Sequence, residues 1–167
     1  MGGFIVKNVG DYIVYQKDVC KIVDRKENAF SHLDCYSLIP VRDESLKLSV
    51  PVTNPNIRDL MSQEDIENLI VEIPSIPLID LDDKQLENEY KRLLSLGTPK
   101  DLIQIIRTTY MRNQKRIEHN KKTSDKDSRY FELAETYLYY EIATVMNMSF
   151  EEAKDYVVTK VHERVHH

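Results

Sequence analysis

Hydrophobic positions recur along this chain with two different periods, and the change of period divides it. Between 4 and 53 they alternate with polar ones. FIVKNVGDYIVYQ sets Phe4, Val6, Tyr12 and Val14 among polar neighbours and breaks at the turn signal Gly10-Asp11. VCKIVD, CYSLIPV and LKLSVPV follow, separated by KENAFSHLD and RDES. Short strands at such intervals predict a small antiparallel sheet or barrel, SH3-like or Tudor-like in size. Asn54-Pro55-Asn56 ends the strand region.

From Ser62 the period becomes helical. Ser62 with Asp65 resembles a capping box, and Ile66, Leu69, Ile70 and Ile73 form one apolar stripe. Pro74 and Pro77 in IPSIPLID interrupt it, which reads as a hinge over 74–80. The next stripe is Leu86, Tyr90, Leu93 and Leu94, stopping at Gly97. Thr98-Pro99 starts a helix with Leu102, Ile105, Ile106, Thr109, Tyr110 and Asn113 facing inward. EHNKKTSDKD reads as a polar loop, within which Ser124 and Asp127 restart a helix. Tyr130, Leu133, Ala134, Tyr137, Leu138, Glu141 and Ile142 share its face. Met146-Asn147-Met148 is a break, and Ser149 with Glu152 caps the last helix. The expectation is an α+β chain: a small Tudor/SH3-like antiparallel β-barrel module over 1–73, a Pro-containing linker over 74–79, and an all-α bundle over 80–165.

Composition narrows the classes. The 167 residues suit one domain or two small ones. Charged residues make up 31%, and no apolar run reaches the roughly 18 residues of a membrane helix. No secretory signal is expected, and Val6 spoils a Met1-Gly2 myristoylation start. Cys20 and Cys35 lack C-x-x-C spacing and read as buried thiols in a reducing cytoplasm. His32, His119 and His162 are scattered, and the terminal His166 and His167 read as a tag remnant or frayed tail.

Phosphate-cradling and nucleophile motifs are absent, and there are only four glycines. Asp80, Asp82 and Asp83 would suit a hydrated Mg²⁺, but acids at a helix start complement the macrodipole. Glu151 and Glu152 have the same explanation. No catalysis, metal or cofactor is expected.

Charge is segregated. The chain carries a net −5, which argues against autonomous nucleic-acid binding. Residues 1–72 hold −4 of it. Residues 107–129 instead hold +5: Arg107, Arg112, Lys115, Arg116, Lys121, Lys122, Lys126 and Arg129 against Glu118, Asp125 and Asp127. Arg112, Lys115 and Arg116 share a helical face, a footprint suited to a phosphate backbone or to a solvated surface.

These segments in this order resemble the CarD/CdnL family of bacterial transcription regulators. VGDYIVYQKDVCKIVD resembles the family's V-G-D-x-V-V-Y-P-x-H-G-V-G-x-I, with Gln16 at the Pro and Cys20 at a Gly. CYSLIPV and LKLSVPVTNPNIRDLMSQEDI resemble its next strands and helix start. IIRTTYMRNQKR and SDKDSRYFELAETYLYYEIA resemble its V-V-R-x-L-x-x-R and L-S-x-x-E-x-x-M-L-x-x-A segments. The resemblance spans about 4–160.

It implies a Tudor-like module that binds the RNA polymerase β subunit, with Phe30, Lys47, Leu48 and Ser49 as contact candidates. It implies a helical half that holds promoter DNA at the open complex. Arg107, Arg112, Lys115, Arg116, Lys121 and Lys122 are the candidates for weak backbone contacts. A monomer in the bacterial cytoplasm, at the nucleoid through polymerase, would follow, with no membrane partner. The family's Asn-Trp wedge falls on Asp82-Asp83, so that contact is not carried over. Three functions stay open: a regulator touching polymerase and DNA, a protein-only adaptor of the same fold, and a metal-dependent enzyme.

Overall fold

The computed structural model describes residues 7–165, so Phe4, Val6, the Met1-Gly2 start and His166 and His167 lie outside the described residues. The chain forms two compact units divided between Met61 and Ser62.

In the first unit, β1 (Tyr12–Tyr15), β2 (Asp18–Phe30), β3 (Leu33–Pro40), β4 (Leu48–Pro51) and β5 (Ile57–Arg58) pair antiparallel throughout. Their order is β4-β3-β2-β1-β5, so among the described residues β4 and β5 are the edges and the sheet is not closed. The expected closed barrel would need those edges to pair, and strands of four and two residues offer little ladder to do so. Alternation directs Ile13, Cys20, Ile22, Tyr36, Leu38 and Val50 into one core, flanked by Tyr15, Leu48, Val52 and Ile57.

KENAFSHLD is not a loop. β2 runs on to Phe30 and turns back through Ser31 and His32, with φ 48° and 62°. The β1–β2 connection is equally tight, through Gln16 and Lys17 at φ 47° and 78°. Two successive left-handed residues match the right-handed twist of a hairpin. Asn28, also left-handed at φ 51°, lies in the register shift of the long hairpin. Its N–H donates to Asp34 at 3.1 Å, and Arg25 bridges the strands to the same carboxylate at 2.9 Å.

The second unit contains α1 (Gln63–Glu72), a 3₁₀ turn (Ile73–Ser75), α2 (Asp83–Leu96), α3 (Pro99–Glu118), α4 (Asp125–Met146) and α5 (Phe150–Val165). The capping boxes at Ser62 and Thr98 form, Ser149 and Glu152 exchange bonds, and Gly97 ends α2 in the left-handed region. α1 groups with these helices rather than with the sheet, so the boundary precedes it instead of following it. Its Ile66, Leu69 and Ile70 are buried, and Tyr156 of α5 donates to its Glu67.

Segment 74–80 is no free hinge. Arg107 donates to the carbonyls of Ile73, at 3.1 Å, and Ile76. Gln104 donates to Pro77 at 3.1 Å, and Ile79 N–H donates to the Thr108 hydroxyl at 3.0 Å. The segment is a strap along α3. It turns the buried face of α3 toward Ile103 and Thr108 and leaves Ile106 half-buried and Tyr110 51% exposed, where the stripe placed both inside. On α4, Tyr130, Ala134, Leu138, Glu141 and Ile142 are buried as expected, while Leu133 is exposed and Tyr137 half-buried. Among the described residues no helix is long and apolar enough to cross a membrane.

Candidate functional site

The C-terminal end of α3 is built by a backbone motif that pattern reading overlooked. Asn120 takes φ 55°, its N–H donates to Ile117 at 3.0 Å, and Lys121 N–H donates to Arg116 at 2.8 Å. This is a Schellman termination, in which the residues here represented by Arg116 and Lys121 are brought side by side, normally as an apolar contact. Here both are cations. His119 donates from Nδ1 to the Lys115 carbonyl at 2.7 Å, which fixes the ring. Asn113 fastens the far end of the loop, donating to Ser128 at 3.1 Å and accepting from Ser124 N–H at 2.8 Å. The result is an open cleft of about 400 Å³ lined by Asp83, Arg112, Lys115, Arg116, His119 and Lys121.

The eight cations of this region divide into two groups. Arg107 is spent on the strap. Arg112 donates from Nε to Asp127 at 3.0 Å and from Nη2 to Asp83 at 2.5 Å. Asp127 is fully buried and accepts from the Tyr90 hydroxyl at 2.8 Å. Burial, and then that carboxylate, push the Tyr90 phenol above its ordinary range, so it stays a donor. Lys126 reaches the Asp83 carbonyl at 3.5 Å, and Arg129 pairs with Glu87 at 2.9 Å. By contrast, Lys115, Arg116, Lys121 and Lys122 find no carboxylate among the described residues. Lys115 and Arg116 do gain from the negative end of α3, which a purely structural role would also exploit. Asp83 is 68% exposed, yet its carboxyl is held below the usual range by the Arg112 guanidinium, with Lys126 and Arg116 adding to the field.

The sheet candidates divide similarly. Val52 N–H donates to Asp34 at 2.9 Å, so in the β3–β4 register Leu48 and Val50 bond to β3 while Ser49 turns its N–H and C=O outward. Leu48 packs against the core, so its side chain is structural. Lys47 and Ser49 are exposed on the open edge, and Pro51 limits how far a partner strand can extend there. Phe30 is 68% exposed at the hairpin tip, directly opposite the exposed Leu33.

The remaining sequence candidates scatter. Asp80 is exposed, Asp82 precedes α2 as its N-cap residue without a side-chain bond, and Asp83 serves Arg112. Among the described residues no three His, Cys, Asp or Glu side chains group to hold a metal ion. Cys20 and Cys35 are buried and unpaired. Sequence reasoning missed His119, the Asp83–Arg112 pair and the Tyr90–Asp127 bond. Asn120, a residue tolerant of the left-handed region, was the one local signal for the turn that gathers the cleft. No protein-family model matches the chain, and no curated protein matches it significantly in sequence.

Proposed function

We propose that the protein is a CarD-like regulator that docks on the β subunit of bacterial RNA polymerase and helps hold promoter DNA through phosphate contacts. The observation that carries the DNA half is the juxtaposition of Arg116 and Lys121 by the Schellman turn, with Lys115 in the same cleft, Lys122 next along the chain, and no carboxylate ion pair for any of the four among the described residues. Like charges gathered at a turn that ordinarily favours an apolar contact reduce stability unless an anion completes them. The polymerase half draws support from the β4 edge. Ser49 offers one outward N–H and C=O pair, and Lys47 flanks it, which suits addition of a partner strand. An open five-stranded sheet of this size is compatible with a Tudor-like module.

The loss of Arg107 to backbone carbonyls, the engagement of Arg112 by Asp127 and Asp83, and Asp82-Asp83 at the wedge position favour a weak, sequence-independent contact made effective by tethering. The test uses the full chain. It should bind the isolated β lobe and lengthen promoter open-complex lifetime. K115E/R116E/K121E/K122E should keep lobe binding and lose the lengthening. Absence of lobe binding at tens of micromolar overturns the reading. Unchanged lifetimes after charge reversal reduce it to a protein-only adaptor.

A further inference from the structure

The cleft at the end of α3 already holds an anion of the protein's own. Asp83 is the first residue of α2, it lines the cleft with Lys115, Arg116, His119 and Lys121, and its carboxylate pairs with Arg112. Its partner, Arg112, is positioned from behind. The buried Asp127 takes Nε, Tyr90 fixes Asp127, and Nη2 is thereby aimed outward at Asp83. A guanidinium held on its inner edge and free to exchange on its outer edge is a pre-organised oxyanion receptor. Asp83 itself is exposed, and its helix start has no side-chain cap, so the positive end of α2 faces the same carboxylate.

We propose that the cleft is a phosphate site anchored by Arg112, in which Asp83 is a displaceable resident carboxylate that an incoming phosphate group replaces. The inference rests on reading this face as a phosphate contact and adds how its affinity is set. Arg112 is the central ligand, fixed by Asp127. Lys115, Arg116 and Lys121 complete the ring. Asp83 competes for Arg112 and repels the incoming charge, so it lowers affinity and keeps Arg112 satisfied when the cleft holds no phosphate.

Removing the competitor should therefore strengthen binding, whereas a merely structural Asp83 would leave it unchanged or weaken it. Inorganic pyrophosphate binding to the full chain, measured by calorimetry at low ionic strength, should tighten about five- to tenfold in Asp83→Asn, the scale of an exposed ion pair plus a lost like-charge contact. Asp83→Ser should do the same, and circular dichroism checks that both variants remain folded. A labelled DNA duplex, followed by anisotropy, identifies the source of the phosphate. Tightening of both probes supports a nucleic-acid backbone, and tightening of pyrophosphate alone supports a free phosphate compound. If neither variant binds pyrophosphate more tightly than the wild type, or none of the three proteins binds it at 10 mM, the exchange is refuted. Lobe binding and open-complex lifetime are read separately, so failure of the exchange and failure of the regulatory reading are distinguishable.

Discussion

Replacing Arg112 with Leu separates an internal role from a surface one. A solvated cation on a helix face changes stability by no more than about 0.5 kcal/mol when removed. Arg112 is different, because its Nε is bonded to a carboxylate with no exposure at all. Breaking a buried pair from one side costs about 3–5 kcal/mol. Here the Tyr90 hydroxyl and Ser124, whose hydroxyl bonds Asp127 N–H, stay in place. The 27% exposure of the Arg112 side chain also admits some water. The expected loss is therefore about 2–3 kcal/mol. Because the chain has two units, the assay is urea unfolding followed by the helix signal at 222 nm, which reports the second unit. Asp127→Asn alone should cost about 1–2 kcal/mol, and the double variant should cost less than the sum by about 1.5 kcal/mol. A loss below about 0.5 kcal/mol for Arg112→Leu, within the range of ordinary surface changes, would refute the internal role and return Arg112 to the free basic face.

Three other expectations follow from single features. Lys17→Gly should stabilise the sheet unit by about 1 kcal/mol in denaturant, because φ 78° strains a side chain and not a glycine; an unchanged midpoint would place the strain elsewhere. Desolvation, opposed by Lys154 at 3.1 Å, raises the Glu135 carboxyl above its ordinary value. The native state then holds that proton more tightly than the unfolded one, so the helical unit gains stability as pH falls from 7 toward 4.5. Glu135→Gln should remove that part of the pH dependence, and an unaltered slope would exclude Glu135 as its source. Burial, then Asp18, push the Cys20 thiol up to about 12, so native protein at pH 8 should leave it unalkylated while urea-unfolded protein reacts.

Legibility in the sequence followed the range of the interaction. The helix starts at Ser62, Thr98, Ser124 and Ser149 and the stops at Gly97 and Asn147 were readable, because each is decided by one residue and its near neighbours. The β2–β3 hairpin was not, since Ser31-His32 carries none of the Asn-Gly chemistry that announces such a turn. The allegiance of α1 was hidden for another reason. Its stripe says only that it must pack on something, and the partners that decide, Tyr156 and the neighbouring core, lie far along the chain. IPSIPLID reads as a hinge because prolines forbid a helix there, but what immobilises it is donors from Gln104 and Arg107 on α3.

The same distinction changes the meaning of the basic segment. Counted along the chain, 107–129 carries +5. In the fold, Arg107, Arg112, Lys126 and Arg129 turn to backbone carbonyls or carboxylates, leaving Lys115, Arg116, Lys121 and Lys122 to the solvent, with Asp83 beside them. These four, with Arg112 once a phosphate displaces Asp83, can release counterions from at most five phosphates, so the affinity for duplex DNA should fall with a log–log salt slope no steeper than about −4.5. Between 50 and 200 mM salt that is a loss of up to about 500-fold, which leaves little autonomous binding under physiological conditions. On the proposed reading the deficit is met by geometry. A partner bound at the sheet edge at Ser49 would tether the chain near DNA at an effective concentration of about millimolar, enough for a contact too weak to form alone.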